Sequence, residues 1–289
     1  TIVVTGGNSG IGFEAATVMA RKRASVVLAC RDEEKGAAAA NRLRKRSPDA
    51  LVVVMELNIA SLKSIEAFAA EFVARFGQLD VLVNNAGIMA VPYGKTVDGF
   101  ERQIGTNHLG HFALTGRLLD CLTASPGARV VTISSIAHRE ADIDFENFQY
   151  EEGQGYEPMK AYRRSKLCNL LFAYELDRRL RAAGHDVSSL AAHPGVSVTN
   201  LFDHTGWWAP LFRPAAKLVL QGADAGALPT LRAATDPTAT GGQYYGPTGR
   251  RETTGPPVLT DSTPLSHDVE IATQLWQLSE RLTGVTYLP

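Results

Sequence analysis

The first 23 residues combine a short apolar run, a glycine-rich turn and an amphipathic stretch. The apolar run covers residues 1–5, and the turn at 6–12 reads Gly-Gly-Asn-Ser-Gly-Ile-Gly. This order predicts a strand, a tight turn and a helix. Gly10 and Gly12 remove side chains where backbone approaches a diphosphate or where helix packs on strand. Free N–H groups at the start of the helix favour an anion. A nucleotide site is therefore the favoured interpretation, and a plain tight turn is the alternative.

The same alternation of apolar runs and amphipathic stretches continues along the chain. Further strands are predicted at 25–30, 51–56, 80–83, 128–135 and 187–193, with an edge strand at 243–245. Helices are predicted between them, including 100–122, 161–180 and 267–282. Alternating strands and helices predict an α/β fold: a Rossmann-type, doubly wound parallel sheet of about seven strands with helices on both faces. Without an internal repeat or a linker, residues 1–289 are interpreted as one domain.

The end of the second strand bears on cofactor choice. It arrives about 20 residues after the glycine turn, where the adenosine ribose of a dinucleotide lies. An acidic side chain there would repel a 2′-phosphate, but this strand ends in Cys30 followed by Arg31 and Asp32. Because Arg31 can form a forked pair with a 2′-phosphate, the sequence favours NADP over NAD. The alternative is that Arg31 is merely solvated and Asp32 caps the next helix.

Bulk composition excludes several classes of protein. The formal net charge of −1 gives no general attraction to nucleic acid or acidic lipid. Three scattered cysteines indicate reduced thiols and a cytoplasmic protein. The sequence contains no apolar run long enough to span a membrane, although the first residue is not Met and an upstream anchor or targeting peptide stays open. His108 and His111 lack carboxylate or cysteine partners, so they are interpreted as ordinary core or surface residues and no metal site is predicted.

Tyr162 and Lys166 are four residues apart in a predicted helix and therefore share a face. A tyrosine titrates near pH 10, and lowering its pKa by about 3 units requires roughly 4 kcal/mol. An exposed ion pair supplies only about 0.2–1 kcal/mol. Acid–base chemistry by this pair would thus require a desolvated cleft and a second positive charge, such as a cofactor. A simple helix face is the alternative.

With these motifs in order, the chain resembles the short-chain dehydrogenase/reductase family, in its retinol-dehydrogenase-like branch. The resemblance covers residues 1–200 and is carried by the glycine turn, Asn-Asn-Ala-Gly at 84–87, Asn107, Ser-Ser at 134–135, the Tyr-x-x-Ser-Lys motif at 162–166 and Pro-Gly at 194–195. It implies that Asn107, Ser135, Tyr162 and Lys166 are catalytic. The cofactor-binding residues that it implies are Gly6, Asn8, Ser9, Gly10, Ile11, Gly12, Arg31, Asn58, Asn84, Ala86, Gly87, Tyr162, Lys166, Pro194, Gly195, Val196 and Thr199. Asn58 stands where the family usually has Asp.

The resemblance also implies a reaction. Hydride would pass between NADP(H) and a carbonyl or alcohol, with Tyr162 exchanging the proton and Ser135 binding the oxygen. Lys166 would bind the nicotinamide ribose and lower the pKa of the tyrosine, while Asn107 would hold a water that returns the proton. The branch suggests a lipophilic aldehyde, ketone or retinoid-like substrate. Family analogy leaves a homo-oligomer open.

Residues 200–214 contain four aromatic side chains among turn-forming residues. We expect this segment to act as a lid over an apolar ligand. A dimer contact or a patch that touches a membrane is the alternative. For the chain as a whole, the competing functions are an NADP-binding redox sensor that acts through protein partners and a protochlorophyllide-type reductase.

Overall fold

The computed structural model describes residues 1–196 and 222–288. Their eight strands form one sheet in the order β3-β2-β1-β4-β5-β6-β7-β8. The strands are β1 Ile2–Thr5, β2 Val26–Cys30, β3 Val52–Glu56, β4 Val81–Asn84, β5 Ala128–Ile133, β6 Val187–Ala192, β7 Tyr244–Pro247 and β8 Pro257–Leu259. The first seven are parallel, which confirms the predicted class of fold.

The last two strands differ from the prediction. The expected edge strand is β7, but it pairs with β6 on one side and with the antiparallel β8 on the other. The edge of the sheet is therefore β8, a strand that the sequence did not predict. Three residues that begin with a proline carry too little alternation to be recognised as a strand.

Helices cover both faces of the sheet, as a doubly wound fold requires. They are α1 Gly10–Arg21, α2 Glu33–Arg46, α3 Leu62–Phe76, α4 Arg102–Ile104, α5 Gly110–Arg117, α6 Leu119–Thr123, α7 Pro158–Ala182, α8 Ala223–Gly226, α9 Leu228–Thr235 and α10 Val269–Thr283. Short 3₁₀ turns lie at Ile136–Glu140, Glu151–Gly153, Arg250–Glu252 and Pro264–His267. No helix within the described ranges combines the length and apolar character needed to cross a bilayer.

Strand alternation divides the apolar side chains between two cores. Val3, Val27 and Leu82 pack with the helices of one face, whereas Val4, Leu28 and Val83 pack with those of the other. Successive strand residues point to opposite faces, so a sheet covered on both faces needs continuous apolar runs. The apolar composition of β1, β2 and β4 is therefore a direct consequence of burial on both sides.

The predicted helix at 100–122 is not continuous. A π-helical turn, Gly105–Leu109, separates α4 from α5, and a further break at Leu118 separates α5 from α6. Single π turns inside helices occur frequently at functional sites. This one contains Asn107, which the sequence had placed in the site.

Candidate active site

One cleft of about 690 Å³ follows the carboxyl ends of the parallel strands. The strand order places the ends of β2 and β3 at one side of this cleft and those of β5 and β6 at the other. Ligands of open α/β sheets bind at this edge. Most of the predicted site residues line the cleft: Gly6, Asn8, Ser9, Gly10, Ile11, Gly12, Arg31, Asn58, Ala86, Gly87, Ser135, Tyr162, Lys166, Pro194, Gly195 and Val196. Thr199 and the predicted lid at 200–214 lie outside the described residues.

The glycine turn admits no side chains at its critical points. Gly6 has φ +65°, and a Cβ built on Gly12 would lie 2.4 Å from Nδ2 of Asn85. Helix α1 begins at Gly10, and the preceding Ser9 makes no side-chain capping bond. The first N–H groups of α1 therefore have no cap from Ser9 at the cleft wall, which suits a diphosphate.

Two adjacent asparagines at the end of β4 point in different directions. Asn84 is buried and donates from Nδ2 to Oγ1 of Thr115 at 3.1 Å, and it does not line the cleft. Asn85 does line the cleft, where its Nδ2 donates to the Thr5 carbonyl at 2.8 Å. Cofactor binding by Asn84 therefore stays a prediction, and Asn85 is the residue of the pair that lines the cleft. Period-two alternation along β4 was the signal that could have distinguished them.

Arg31 is exposed and lines the cleft beside the end of β2. Asp32 is the N-cap of α2: its carboxylate accepts from the Lys35 backbone N–H at 3.0 Å and pairs with the Lys35 ammonium at 3.0 Å. The capping role considered for Asp32 is thus correct, and its negative charge is directed to Lys35. Asn58 lies across the cleft wall, where its Oδ1 accepts from the Ala60 N–H at 3.2 Å.

Three polar side chains meet at the opposite end of the cleft. Tyr162 and Lys166 project from the same face of α7 and are only 6% and 5% exposed. The Lys166 ammonium lies 5.7 Å from the centroid of the Tyr162 ring and donates to the Ile133 carbonyl at 3.0 Å. Ser135 directly follows β5 and lines the same end of the cleft, where its side chain interacts with the Tyr162 phenol. The four-residue spacing and the end of β5 thus bring phenol, amine and hydroxyl together.

Burial changes the proton affinities of this group. It lowers the pKa of Lys166 to about 8, because desolvation disfavours the ammonium. Burial also raises the pKa of Tyr162, and the interaction with Ser135 offsets this only in part. The expectation that Lys166 lowers the pKa of Tyr162 is not met by the charges of the chain alone. An acidic phenol here requires a further positive charge.

Asn107 is completely buried and makes three hydrogen bonds with its carboxamide. Oδ1 accepts from the Ile88 N–H at 2.9 Å, and Nδ2 donates to the Ile88 carbonyl at 3.0 Å and to Oγ of Ser165 at 2.9 Å. The side chain therefore connects the loop after Gly87 to helix α7. This placement is structural support for the cleft wall, and the water-holding role predicted for Asn107 stays a prediction.

The two histidines that follow Asn107 are both core residues, and they have different partners. His111 lies with Nδ1 3.0 Å from the Asn107 carbonyl and Nε2 3.0 Å from Oγ1 of Thr5. That hydroxyl accepts the N–H groups of Asn85 and Ala86 at 2.8 and 2.9 Å. His108 instead contacts Oγ of Ser279 at 2.9 Å. Burial lowers the pKa of His111 to about 4 and that of His108 to about 3, so both are neutral at pH 7.

No cluster of three metal-ligating side chains occurs among residues 1–196 and 222–288. All three cysteines are buried and free of disulfides, and burial raises the pKa of the Cys30 thiol to about 11. Cys30 lines the cleft and is therefore a protonated thiol at pH 7.

The sheet, the glycine turn and the buried tyrosine–lysine pair together define an oxidoreductase of the dinucleotide-binding type. A family model described as short chain dehydrogenase matches residues 1–148. The chain is 39% identical to retinol dehydrogenase 13 of Homo sapiens, over 99% of this chain and 85% of that protein. It is 40% identical to human retinol dehydrogenase 12, over 99% and 87% of the two chains. The protein therefore belongs to the short-chain dehydrogenase family, and it is an enzyme that acts on alcohol or carbonyl groups.

Solved structures agree with this assignment. An uncharacterized protein from Mycobacterium paratuberculosis superimposes with a TM-score of 0.81 at 43% identity, covering 100% of this chain and 94% of that one. Salutaridine reductase from Papaver somniferum superimposes with a TM-score of 0.67 at 22% identity, over 84% and 98% of the two chains. The second likeness is one of fold alone.

Proposed function

We propose that this protein is an NADP(H)-dependent oxidoreductase that transfers hydride between the nicotinamide and a carbonyl or alcohol carbon of a lipophilic molecule. The observation that carries the proposal is the meeting of Tyr162, Ser135 and Lys166 at one end of a cleft whose other end is marked by Arg31. A dinucleotide has the length and chemistry to join these ends. The proposal treats residues 1–289 as one catalytic domain.

The residues present fit such a cofactor. The glycine turn suits a diphosphate at the start of α1, because Ser9 does not cap the first N–H groups of that helix and Gly12 allows the helix to pack closely against Asn85. Ala86 and Gly87 line the middle of the cleft, and Pro194, Gly195 and Val196 line its catalytic end. A bound nicotinamide would supply the hydride and, when oxidised, the further positive charge beside the phenol.

The side chains of the chain itself would manage the proton and the oxygen. Tyr162 would donate its proton to the carbonyl oxygen in reduction and accept it in oxidation. Ser135, which lines the cleft with Tyr162, would donate to the same oxygen as negative charge develops on it. Lys166 would place its ammonium near the phenolate that forms, and its bond to the Ile133 carbonyl fixes that position. General acid–base catalysis of this kind contributes about 10²–10⁴-fold.

The choice of NADP rests on Arg31 at the cleft. To test it, dissociation constants for NADPH and NADH are compared between wild type and Arg31→Asp. We expect NADPH binding to weaken by about 10- to 100-fold, since hydrogen bonds to charged groups contribute about 1.5–3 kcal/mol, while NADH binding changes little. Lys45→Asp, at an exposed position of α2 outside the cleft lining, makes the same change of charge and serves as control. Equal losses for both nucleotides would contradict the role of Arg31.

The proposed substrate class rests on the apolar part of the cleft and on the relatives. Ile88, Met89, Val97 and Ile136 line the cleft with the polar residues above. Two relatives are named retinol dehydrogenases. Turnover is measured with NADPH on aldehydes and ketones of increasing apolar length, retinal included. We expect kcat/KM to rise with apolar length. Tight NADPH binding without turnover of any substrate would instead favour a redox sensor.

A further inference from the structure

A segment late in the chain, around Thr253, packs against the cleft wall at the catalytic end. Gly195 has φ +68°, and a Cβ there would lie 2.3 Å from the Thr253 carbonyl. The same carbonyl accepts the N–H of Val196 at 2.9 Å. The wall formed by residues 194–196 therefore packs directly on residues 248–256, the connection between β7 and β8.

Within that connection, the carboxylate of Glu252 accepts hydrogen bonds from side chains in separate parts of the chain. Its Oε2 lies 3.0 Å from Nε2 of His193, and its Oε1 accepts from the Arg139 guanidinium at 2.7 Å. The Thr260 side chain also interacts with this carboxylate. These donors, the His193 bond above all, hold the pKa of Glu252 at about 2, so the group is ionised throughout the ordinary pH range.

The direction of the His193 bond follows from its other nitrogen. The N–H of Gly195 donates to Nδ1 of His193 at 3.2 Å, so Nδ1 is an acceptor. The proton of the neutral ring is then on Nε2, which donates to Glu252. His193 is fully buried, and its ring thus couples the carboxylate of Glu252 to the backbone of the cleft wall.

The hydrogen bond from Arg139 connects Glu252 to the turn that follows Ser135, whose hydroxyl is proposed to bind the reacting oxygen. Arg139 belongs to the 3₁₀ turn Ile136–Glu140, which begins directly after Ser135. In the same turn, Nδ1 of His138 lies 2.6 Å from the Ser135 carbonyl. Glu252 therefore connects two segments that border the catalytic end: the turn after Ser135 and the wall at 194–196.

The backbone at this point is itself unusual. Arg251 and Glu252 both have φ +55°, in the left-handed region that residues other than glycine rarely adopt. Such conformations persist only where the surroundings fix them, and they cluster at functional sites. Here the bonds from His193 and Arg139, together with the bond from the Glu252 N–H to the Gly249 carbonyl, hold Glu252 in place.

We infer that Glu252 is a positioning residue, which aligns the wall at 194–196 with the turn after Ser135 and so sets the catalytic end of the cofactor cleft. This inference rests on the proposed function, because it assumes that the nicotinamide half of the cofactor occupies that end. Glu252 lies outside residues 1–148, where the family model matches, and outside the motifs of the sequence.

The test separates the two halves of the cofactor. Glu252→Gln keeps the size of the side chain and removes its charge, and dissociation constants are measured for NADPH and for 2′,5′-ADP, which lacks the nicotinamide half. We expect NADPH binding to weaken by about tenfold, equal to about 1.4 kcal/mol, and 2′,5′-ADP binding to stay within about twofold of wild type. The value of kcat should fall as well, since small misplacements at a reacting centre reduce rates by up to about 100-fold.

Asp236→Asn is the matched control. Asp236 accepts from Arg232 in an ion pair on the same late part of the chain, and its side chain is 22% exposed against 25% for Glu252. It does not line the cleft, so neither ligand should bind differently. Arg139→Gln, at a more exposed position, should reproduce part of the Glu252→Gln effect and replaces that variant if it does not fold.

Two results would overturn the inference. One is NADPH binding and kcat unchanged in folded Glu252→Gln or Arg139→Gln. The other is an equal loss for NADPH and 2′,5′-ADP, which would indicate a general structural defect. A wild-type protein that binds neither NADPH nor NADH would instead contradict the proposed function, so the two failures are distinguishable.

Discussion

Residues 1–196 and residues 222–288 contribute to the enzyme in different ways. The first part supplies the polar groups at the catalytic end of the cleft, among them Tyr162, Ser135 and Lys166. The second part supplies mostly packing, and Glu252 is the polar exception that we propose. Trp276, for example, is buried against Phe112, with ring centroids 5.0 Å apart, and against Tyr287 at 4.8 Å. Chemistry fixes the type of residue, whereas packing fixes only volume and shape, so motifs are visible in the first part and scarce in the second.

The largest expected effect is in the first part. Tyr162→Phe removes the proposed proton donor and should lower kcat by about 10³-fold, within the range for general acid catalysis. Tyr174→Phe is the control, because Tyr174 is on the same helix but bonds to Ser262 instead of facing the cleft. Steady-state kinetics with NADPH check this prediction. Equal turnover by Tyr162→Phe and wild type would rule out the acid.

The second part should respond in stability. Trp276→Ala leaves a large cavity and should lower the free energy of unfolding by about 3–5 kcal/mol, with kcat of the folded protein nearly unchanged. Val269→Ala, at an exposed position of α10, should change stability by less than about 0.5 kcal/mol. Denaturant unfolding measures both variants. A large loss of kcat with normal stability in Trp276→Ala would contradict the assignment of residues 222–288 mainly to packing.

In the first part, we expect the buried Lys166 ammonium to serve the proposed reaction while it lowers the free energy of unfolding. Because burial lowers its pKa to about 8, the charged amine destabilises the fold at pH 7. Lys166→Met should therefore abolish activity yet raise the free energy of unfolding by about 1–3 kcal/mol, less than the full pKa shift implies.

The titration of Lys166 makes the free energy of unfolding depend on pH in a defined direction. The unfolded chain holds the Lys166 proton up to about pH 10.5, whereas the folded protein releases it near pH 8. Wild-type stability therefore gains from this group as pH rises between these values. The advantage of Lys166→Met should be constant below pH 8 and shrink above it. An advantage that does not change with pH would contradict the burial of the charged amine.

The smallest expected effect distinguishes two buried histidines of one helical region, His108 and His111. His111 links the Asn107 carbonyl to Thr5 and the loop after β4, whereas His108 contacts Ser279 of α10. His111→Gln should lower kcat/KM by about 3- to 10-fold, the equivalent of about one hydrogen bond. His108→Gln should lower stability with kcat/KM unchanged. Equal kinetic losses in the two variants would contradict a positioning role that belongs to His111 alone.

Several features were predictable from the sequence because they depend on neighbouring residues. The strand–turn–helix at 1–21, the alternation of strands and helices, and the shared face of Tyr162 and Lys166 follow from local geometry and spacing. Other features depend on distant partners. The sequence predicted neither the π turn around Asn107 nor the edge strand β8.

By itself, then, the sequence determined the class of fold and the chemistry at the strand ends, because glycine turns, strand alternation and the spacing on α7 act within a few residues. Only the tertiary structure decided how that chemistry is held. It buried Lys166, turned Asn107 toward Ile88 and Ser165, and brought Glu252 to His193 and Arg139. Glu252 is 59 positions from His193 and 113 positions from Arg139 in the sequence, and no local pattern encodes such pairings.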